Sequence, residues 1–328
     1  LFSIYFVAIS FYSSINPIES ALGSLKLLFS VGILGVTVFL GVRILRDTHA
    51  LILSYSCGGA VASISTIFLV NNFQSGDYIR SAGLAGHPVG LAITCGTCIA
   101  LLVNLPNWRK DSVIRMFLFI LNGIGIAKSI GLTGAFIACI GLIISQLFSH
   151  GKIMSRVTKT SFILMFAVLI WISNFSEALR SRLSSIRNPT SGIRSESGSL
   201  SGSTIEIRWL SVKAGLDRIQ SNPIFGNGFD VAGQVSIADI QTHNYWILMW
   251  QSGGFVAGLI AIYIGLLASR TIFLSYKSRE INPYARISAV SLGTTLLGGM
   301  LSPALYNRTF YFTLALGYAT SISIKKRH

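Results

Sequence analysis

Residues 203–258 read STIEIRWLSVKAGLDRIQSNPIFGNGFDVAGQVSIADIQTHNYWILMWQSGGFVAG. Polar, chemically competent side chains collect here beside a long apolar run. Ser203 and Glu206 have the spacing of a helix N-terminal capping box, and Ile205, Trp209, Val212, Leu216 and Ile219 follow three and four apart. That pattern predicts an amphipathic helix. At about 100° per residue Arg208 falls at the edge of the apolar stripe, where its guanidinium reaches a lipid-water boundary while Trp209 anchors beside it. Asn222-Pro223 stops the helix, and Gly226-Asn227-Gly228 supplies a tight turn. The polar loop that follows ends in His243-Asn244, which puts an imidazole at the mouth of a transmembrane helix.

The composition extends that reading to the whole chain. Its 328 residues have a mean hydropathy of +0.65, with 52% hydrophobic and only 11% charged side chains. Soluble domains carry roughly 25% charged residues, so the expectation is an integral membrane protein. The net charge of +15 does not point to nucleic acid, because the basic residues lie in short clusters between apolar runs, as topology signals do. Cys57, Cys95, Cys98 and Cys139 all fall inside apolar segments. Cys95-x-x-Cys98 has redox or metal spacing, but no second pair or nearby histidine accompanies it, and the plain reading is small buried hydrophobes. The chain opens on Leu1 inside an apolar run, so an N-terminal portion is expected to be missing.

Runs near 1–12, 25–42, 49–70, 88–104, 113–131, 132–149, 160–175, 244–269, 285–302 and 306–324 are each candidates to cross a hydrocarbon core. Backbone groups in lipid find no water, so these runs must be helical. The predicted fold is therefore all-α, a polytopic transmembrane bundle of about ten spans with one long extracytoplasmic loop. Arg43 and Arg46, Arg109-Lys110, Lys152 to Lys159, Arg270 to Arg279, and Lys325-Lys326-Arg327 alternate with less basic loops, which makes that set cytoplasmic. The chain then divides into helices over 1–175, an outer loop over 176–243 and helices over 244–328. The outer loop holds Glu177, Glu196, Glu206, Asp217, Asp230 and Asp239, six of the eleven acids.

The Arg-Trp amphipathic helix, then Asn222-Pro223-Ile224-Phe225-Gly226-Asn227-Gly228-Phe229, then His243-Asn244 opening a span that bears glycine, resembles the O-antigen ligase and O-antigen polymerase superfamily of bacterial membrane glycosyltransferases. In that family the His-Asn pair is followed by nine residues and a Gly-x-x-Gly; here nine residues lead to Gly254, with Ala257 at the second glycine position and Gly258 one step on. Gln251-Ser252 takes the place of an acidic residue often found ahead of the glycines. Arg80, Gly83 and Pro88 match an Arg, Gly, Pro element that opens an earlier span. A Ser-Arg-Gly element is only partly kept, as Ala127-Lys128-Ser129-Ile130-Gly131, with Ile130 where arginine is expected. Lys128 supplies a point charge there but not a planar fork.

The resemblance implies transfer of a glycan from a polyprenyl diphosphate carrier to a sugar hydroxyl, without metal or other cofactor, on the outer face of the bacterial cytoplasmic membrane. The acceptor is lipid A core or a growing surface polysaccharide. An anionic diphosphate leaving group calls for cationic donors, and arginine binds two phosphate oxygens at once. Arg80, Arg208 and Arg308 are the candidates for that contact. The acceptor hydroxyl needs a base, and a histidine with an unperturbed pKa of about 6.5 accepts a proton at neutral pH. His243 is the candidate, with Asn244 and Lys128 in support; Asp230 and Asp239 are rival bases, and His87 before Pro88 reads as structural. The expected partners are the carrier-linked donor, a glycan or glycolipid acceptor and membrane lipids, with no nucleic acid. A polytopic transporter of a polysaccharide precursor or small solute is the alternative. A transporter places ionisable residues at mid-membrane and has related halves with broken helices, whereas these spans hold few such residues beyond Lys128 and Arg115.

Overall fold

The structure, a computed structural model, describes residues 2–14, 16–44, 47–68, 72–75, 78–106, 111–148, 204–230, 242–279, 284–301 and 307–325. The elements are α1 (Phe2–Ser13), α2 (Pro17–Phe29), a π-helical turn (Ser30–Gly35), α3 (Val36–Ile44), α4 (Thr48–Ser65), β1 (Asn72–Ser75), β2 (Tyr78–Ser81), a short 3-10 turn (Gly83–Ala85), α5 (Pro88–Asn104), α6 (Ser112–Ser129), α7 (Leu132–Leu147), α8 (Thr204–Ser221), α9 (Tyr245–Lys277), α10 (Ala285–Leu301) and α11 (Arg308–Lys325). Every apolar run named above forms helix except 160–175, which lies outside the described residues, as do most of the outer loop and Asp239.

Among the described residues three helices are long and apolar enough to cross a membrane: Pro17–Ile44, Ser112–Ser129 and Tyr245–Lys277. That fits a membrane protein. Pro88–Asn104, Leu132–Leu147 and Ala285–Leu301 are apolar but shorter. One departure from the all-helical expectation is the antiparallel hairpin β1-β2, which pairs Asn72 with Ser81 and Phe73 with Arg80 in a segment read as loop. Its strands are four residues each.

The chain divides into two compact units. The first comprises 1–34, 179–266 and 299–308, and the second 35–178, 267–298 and 309–328. In the second unit α5 is the hub. From Leu91 to Asn104 nearly every residue is buried, which is why this segment reads as continuously apolar without a periodic face. Ala92, Gly96 and Ala100 recur every four residues and meet Gly134 and Gly141 of α7, where a Cβ on Gly96 would collide with the Gly134 backbone. Helices in lipid gain little from mutual hydrophobicity, so close contact between small residues has to hold them. Around this seam Leu91, Cys95, Ile99 and Val103 pack with Phe119, Ile126, Ala138 and Leu142. Cys95 and Cys98 are free and buried, and Cys95 Sγ stands 3.2 Å from Ser63 Oγ.

Arg115 is fully buried near the start of α6. Its Nη1 and Nη2 donate to the carbonyls of Leu105 and Pro106 at 3.0 and 2.7 Å, and Asp111 lies 3.6 Å away and 2.8 Å from His49 Nε2. The guanidinium thus occupies carbonyls that the end of α5 leaves without helical partners. At the far end of α6, Ile130 adopts the left-handed conformation (φ 50°), with Gly131 N–H closing back on the Ile126 carbonyl at 3.3 Å. A β-branched residue there replaces the usual glycine of a helix terminator.

Candidate functional site

The site is built in the first unit from α8, the turn after it and the first half of α9. Asn244 is the N-cap of α9, its Oδ1 accepting from the amides of Trp246 and Ile247 at 3.0 and 3.2 Å. An asparagine in this place satisfies amide donors that the first helical turn leaves open. The backbone ahead of it is held as well. Thr242 Oγ1 donates to Gln251 Oε1 at 2.6 Å, and both side chains are buried.

Ser211 then connects His243 to α8. Its buried Oγ accepts from the His243 amide at 3.2 Å and donates to the Arg208 carbonyl at 3.0 Å. One hydroxyl therefore fastens the histidine's backbone to the helical turn that carries the arginine. Gly215, one turn on, lies against Thr242 and Ile247, both of which a Cβ there would crowd at 3.0 and 2.8 Å. His243 and Arg208 are half-buried.

The most buried positions of α8 are small residues and not the apolar stripe. Trp209 is 69% exposed and Leu216 46% exposed, while Ser211 and Gly215 are buried and Arg208 and Arg218 half-buried. Trp209 and Leu216 are thus available to lipid, in keeping with an interfacial helix, and the small positions Ser211 and Gly215 face the protein.

The turn after α8 fills a break in α9. At Gly254 the backbone takes φ 66° and ψ −160°, interrupting the 33-residue helix. A helix broken inside an apolar segment leaves carbonyls and amides that must find partners in the protein. They do. Asn227 and Gly228 amides donate to the Gln251 and Ser252 carbonyls at 2.8 and 2.9 Å, and the Phe255 amide donates to the Ile224 carbonyl at 3.0 Å. Tyr5 Oη donates to the Gly253 carbonyl at 3.2 Å. The turn braces itself too, with Asn222 Nδ2 donating to the Gly226 carbonyl and Asn227 Nδ2 to the Arg218 carbonyl at 3.2 Å. So Asn222-Pro223-Ile224-Phe225-Gly226-Asn227-Gly228 and Gly254 form one device, backbone laid on backbone. Gly226 (φ +74°) has room for no side chain against Gly254 N and the Ser252 carbonyl.

Asp230, a rival base in the sequence reading, is buried and accepts from Ser14 Oγ at 3.0 Å; the neighbouring Phe229 amide donates to Ser20 Oγ at 2.8 Å and its ring meets Phe6 edge-on. Asp230 thus holds the link between α1 and α2 at Ser14, while Phe229 meets both helices.

Arg80 lies on β2, with only its backbone described, and Lys128 is exposed in the last turn of α6, both in the second unit. Arg308 is the exposed first residue of α11. His87 is the N-cap of α5, its Nδ1 accepting from the Val89 amide at 3.2 Å ahead of Pro88. Sequence reasoning passed over Ser211, Gly215 and Thr242, and read Gln251 only as a replaced acidic position, although a serine and a glycine four apart inside a helix are a close-packing signal. The chain matches no family model and no curated protein.

Proposed function

We propose that the protein is a membrane glycosyltransferase of the O-antigen ligase or polymerase kind, moving a glycan from a polyprenyl diphosphate carrier to a sugar hydroxyl. The observation that carries the reading is the Ser211 bridge, which joins the backbone of His243 to the helical turn of Arg208. A base and a diphosphate-binding cation have to act on one glycosidic centre, and here one hydroxyl joins the backbone positions that carry them. In this reading the acceptor hydroxyl gives its proton to the His243 imidazole and its oxygen attacks the anomeric carbon. The bond from that carbon to the diphosphate breaks, and its electron pair leaves on the diphosphate oxygen. Arg208 offsets the charge that grows there. Asn244 serves as the helix cap that sets where the histidine stands. The site faces the extracytoplasmic side of the cytoplasmic membrane.

The transporter reading draws on the break at Gly254, since interrupted helices line many transport sites. Against it, the amides and carbonyls at this break are engaged by the 222–228 turn and Tyr5. Two experiments separate the readings. His243→Ala is expected to insert normally, form no ligated or polymerised product and leave carrier-linked donor accumulating; product at wild-type yield removes the base assignment. Inner-membrane vesicles that take up labelled solute without transferring glycan establish the transporter instead.

A further inference from the structure

We propose that Gln251 is a positioning residue for His243, carrying the geometry of the α9 break to the backbone on which the imidazole stands. The inference rests on the function proposed above and adds to it a residue on which the base depends. Gln251 lies in the turn of α9 just ahead of Gly254 and is engaged through both its main chain and its side chain. Its carbonyl accepts from the Asn227 amide at 2.8 Å and from Asn227 Nδ2 at 3.3 Å, which seats it on the turn that fills the break. Its Oε1 accepts from Thr242 Oγ1 at 2.6 Å, and both residues are fully buried. Gln251 thus touches the 222–228 turn with its backbone and the segment that leads into α9 with its side chain.

That segment is held residue by residue. Thr242 is bonded to Gln251 and packs against Gly215 of α8, where a Cβ would stand 3.0 Å from both its Cγ2 and its Oγ1. The His243 amide donates to Ser211 Oγ at 3.2 Å, and Asn244 Oδ1 accepts from the Trp246 and Ile247 amides. With three successive residues fixed, the imidazole is left with its own side-chain torsions. The length of the Gln251 tie then sets where it stands. Oxygens in an O–H···O hydrogen bond approach to roughly 2.5–3.0 Å, whereas two carbon atoms in contact stop at about 3.5–4.0 Å. An apolar pair of the same shape therefore fills the space but holds Thr242 about 1 Å further off, and a displacement of that size at a reacting group can slow a reaction about a hundredfold. Stability follows a different rule. Removing one polar partner strands the other in the interior, whereas replacing both by apolar groups of the same shape is nearly neutral. Position and stability are thus separable at this pair.

The test uses the full chain in phosphatidylcholine nanodiscs, with carrier-linked glycan extracted from cells making the His243→Ala variant as donor and membrane glycolipid from the same cells as acceptor. Thr242→Val and Gln251→Leu should each lower kcat about tenfold or more, with KM for the donor within about twofold of wild type. Thr242→Ser keeps the hydroxyl and should recover most of the rate. The double variant Thr242→Val with Gln251→Leu is expected to melt within a few degrees of wild type and still to transfer about tenfold or more slowly. If that double variant transfers at the wild-type rate, or if the single variants do, the bond positions nothing and this inference fails alone. If the His243→Ala cells hold no carrier-linked donor, or wild type transfers none of it, or His243→Ala transfers it as fast as wild type, the function proposed above fails and takes the inference with it.

Discussion

Gly254 carries φ 66° and ψ −160°, a region open to glycine and almost closed to other residues. A Cβ there would run into the Ile224 carbonyl and the carbonyl carbon of Phe225. Strain and collision act together, so Gly254→Ala is expected to lower the thermal midpoint in detergent by roughly 5–10 °C. A midpoint within a degree of wild type would show that the break is not a feature of the folded protein. Ile130 gives a subtler case. Its left-handed backbone costs about 1–2 kcal/mol, and its side chain is buried. Truncation to alanine gives up the burial and keeps the strain, a loss of about 2–4 kcal/mol. Glycine gives up the same burial but releases the strain. Ile130→Gly should therefore be the more stable of the two variants by about 1 kcal/mol, reversing the usual ranking inside helices. Chemical denaturation of the pair reads the sign directly. The sequence offered glycine at 254 as a motif position, but its φ value follows from the 222–228 turn that lies against it.

At the scale of elements, α8 and the start of α9 are joined where the buried Ser211 and Gly215 meet Thr242, His243 and Ile247. Ser211→Ala removes both the donor to Arg208 and the acceptor for His243. The lost hydrogen bonds are worth about 1 kcal/mol each in stability, whereas a displacement of about 1 Å at a reacting group can cost a hundredfold in rate. The expected result is a protein that inserts and melts within a few degrees of wild type and forms product at least tenfold more slowly. Equal rates would mean the bridge positions nothing. Asn244 makes a complementary pair of variants. Asn244→Ala should lose about 1 kcal/mol of stability, and Asn244→Ser, which also caps, should recover most of it. Recovery of product formation by serine would confine the asparagine to capping; stability without activity would give its amide a contact with substrate. The helix over 204–221 and the helix opening at 245 were legible from periodicity and from the stop at Asn222-Pro223. Which face of α8 turns inward was not. Periodicity defines an apolar stripe, but in lipid the apolar side is the solvated one, and packing goes to small residues.

Across the whole molecule, the three long apolar helices and the exposed apolar side chains along them fit a chain that stays with the bilayer. Alkaline carbonate washing should leave it in the membrane pellet, and release into the supernatant would contradict that assignment. The sequence alone determined that the chain is helical and membrane-sized in its apolar runs, because hydrogen bonding without water and a hydrocarbon thickness leave few other solutions. It also marked Arg208, His243, Gly254 and the 222–228 turn as belonging to one stretch, since a cap, a stop and a tight turn are local matters. Only the tertiary structure decided that the turn lies inside a broken helix, that Asn244 caps and that a buried serine joins the histidine to the arginine's helix. Those features depend on which backbone groups are left unsatisfied once the helices pack, and spacing along the chain does not contain that information.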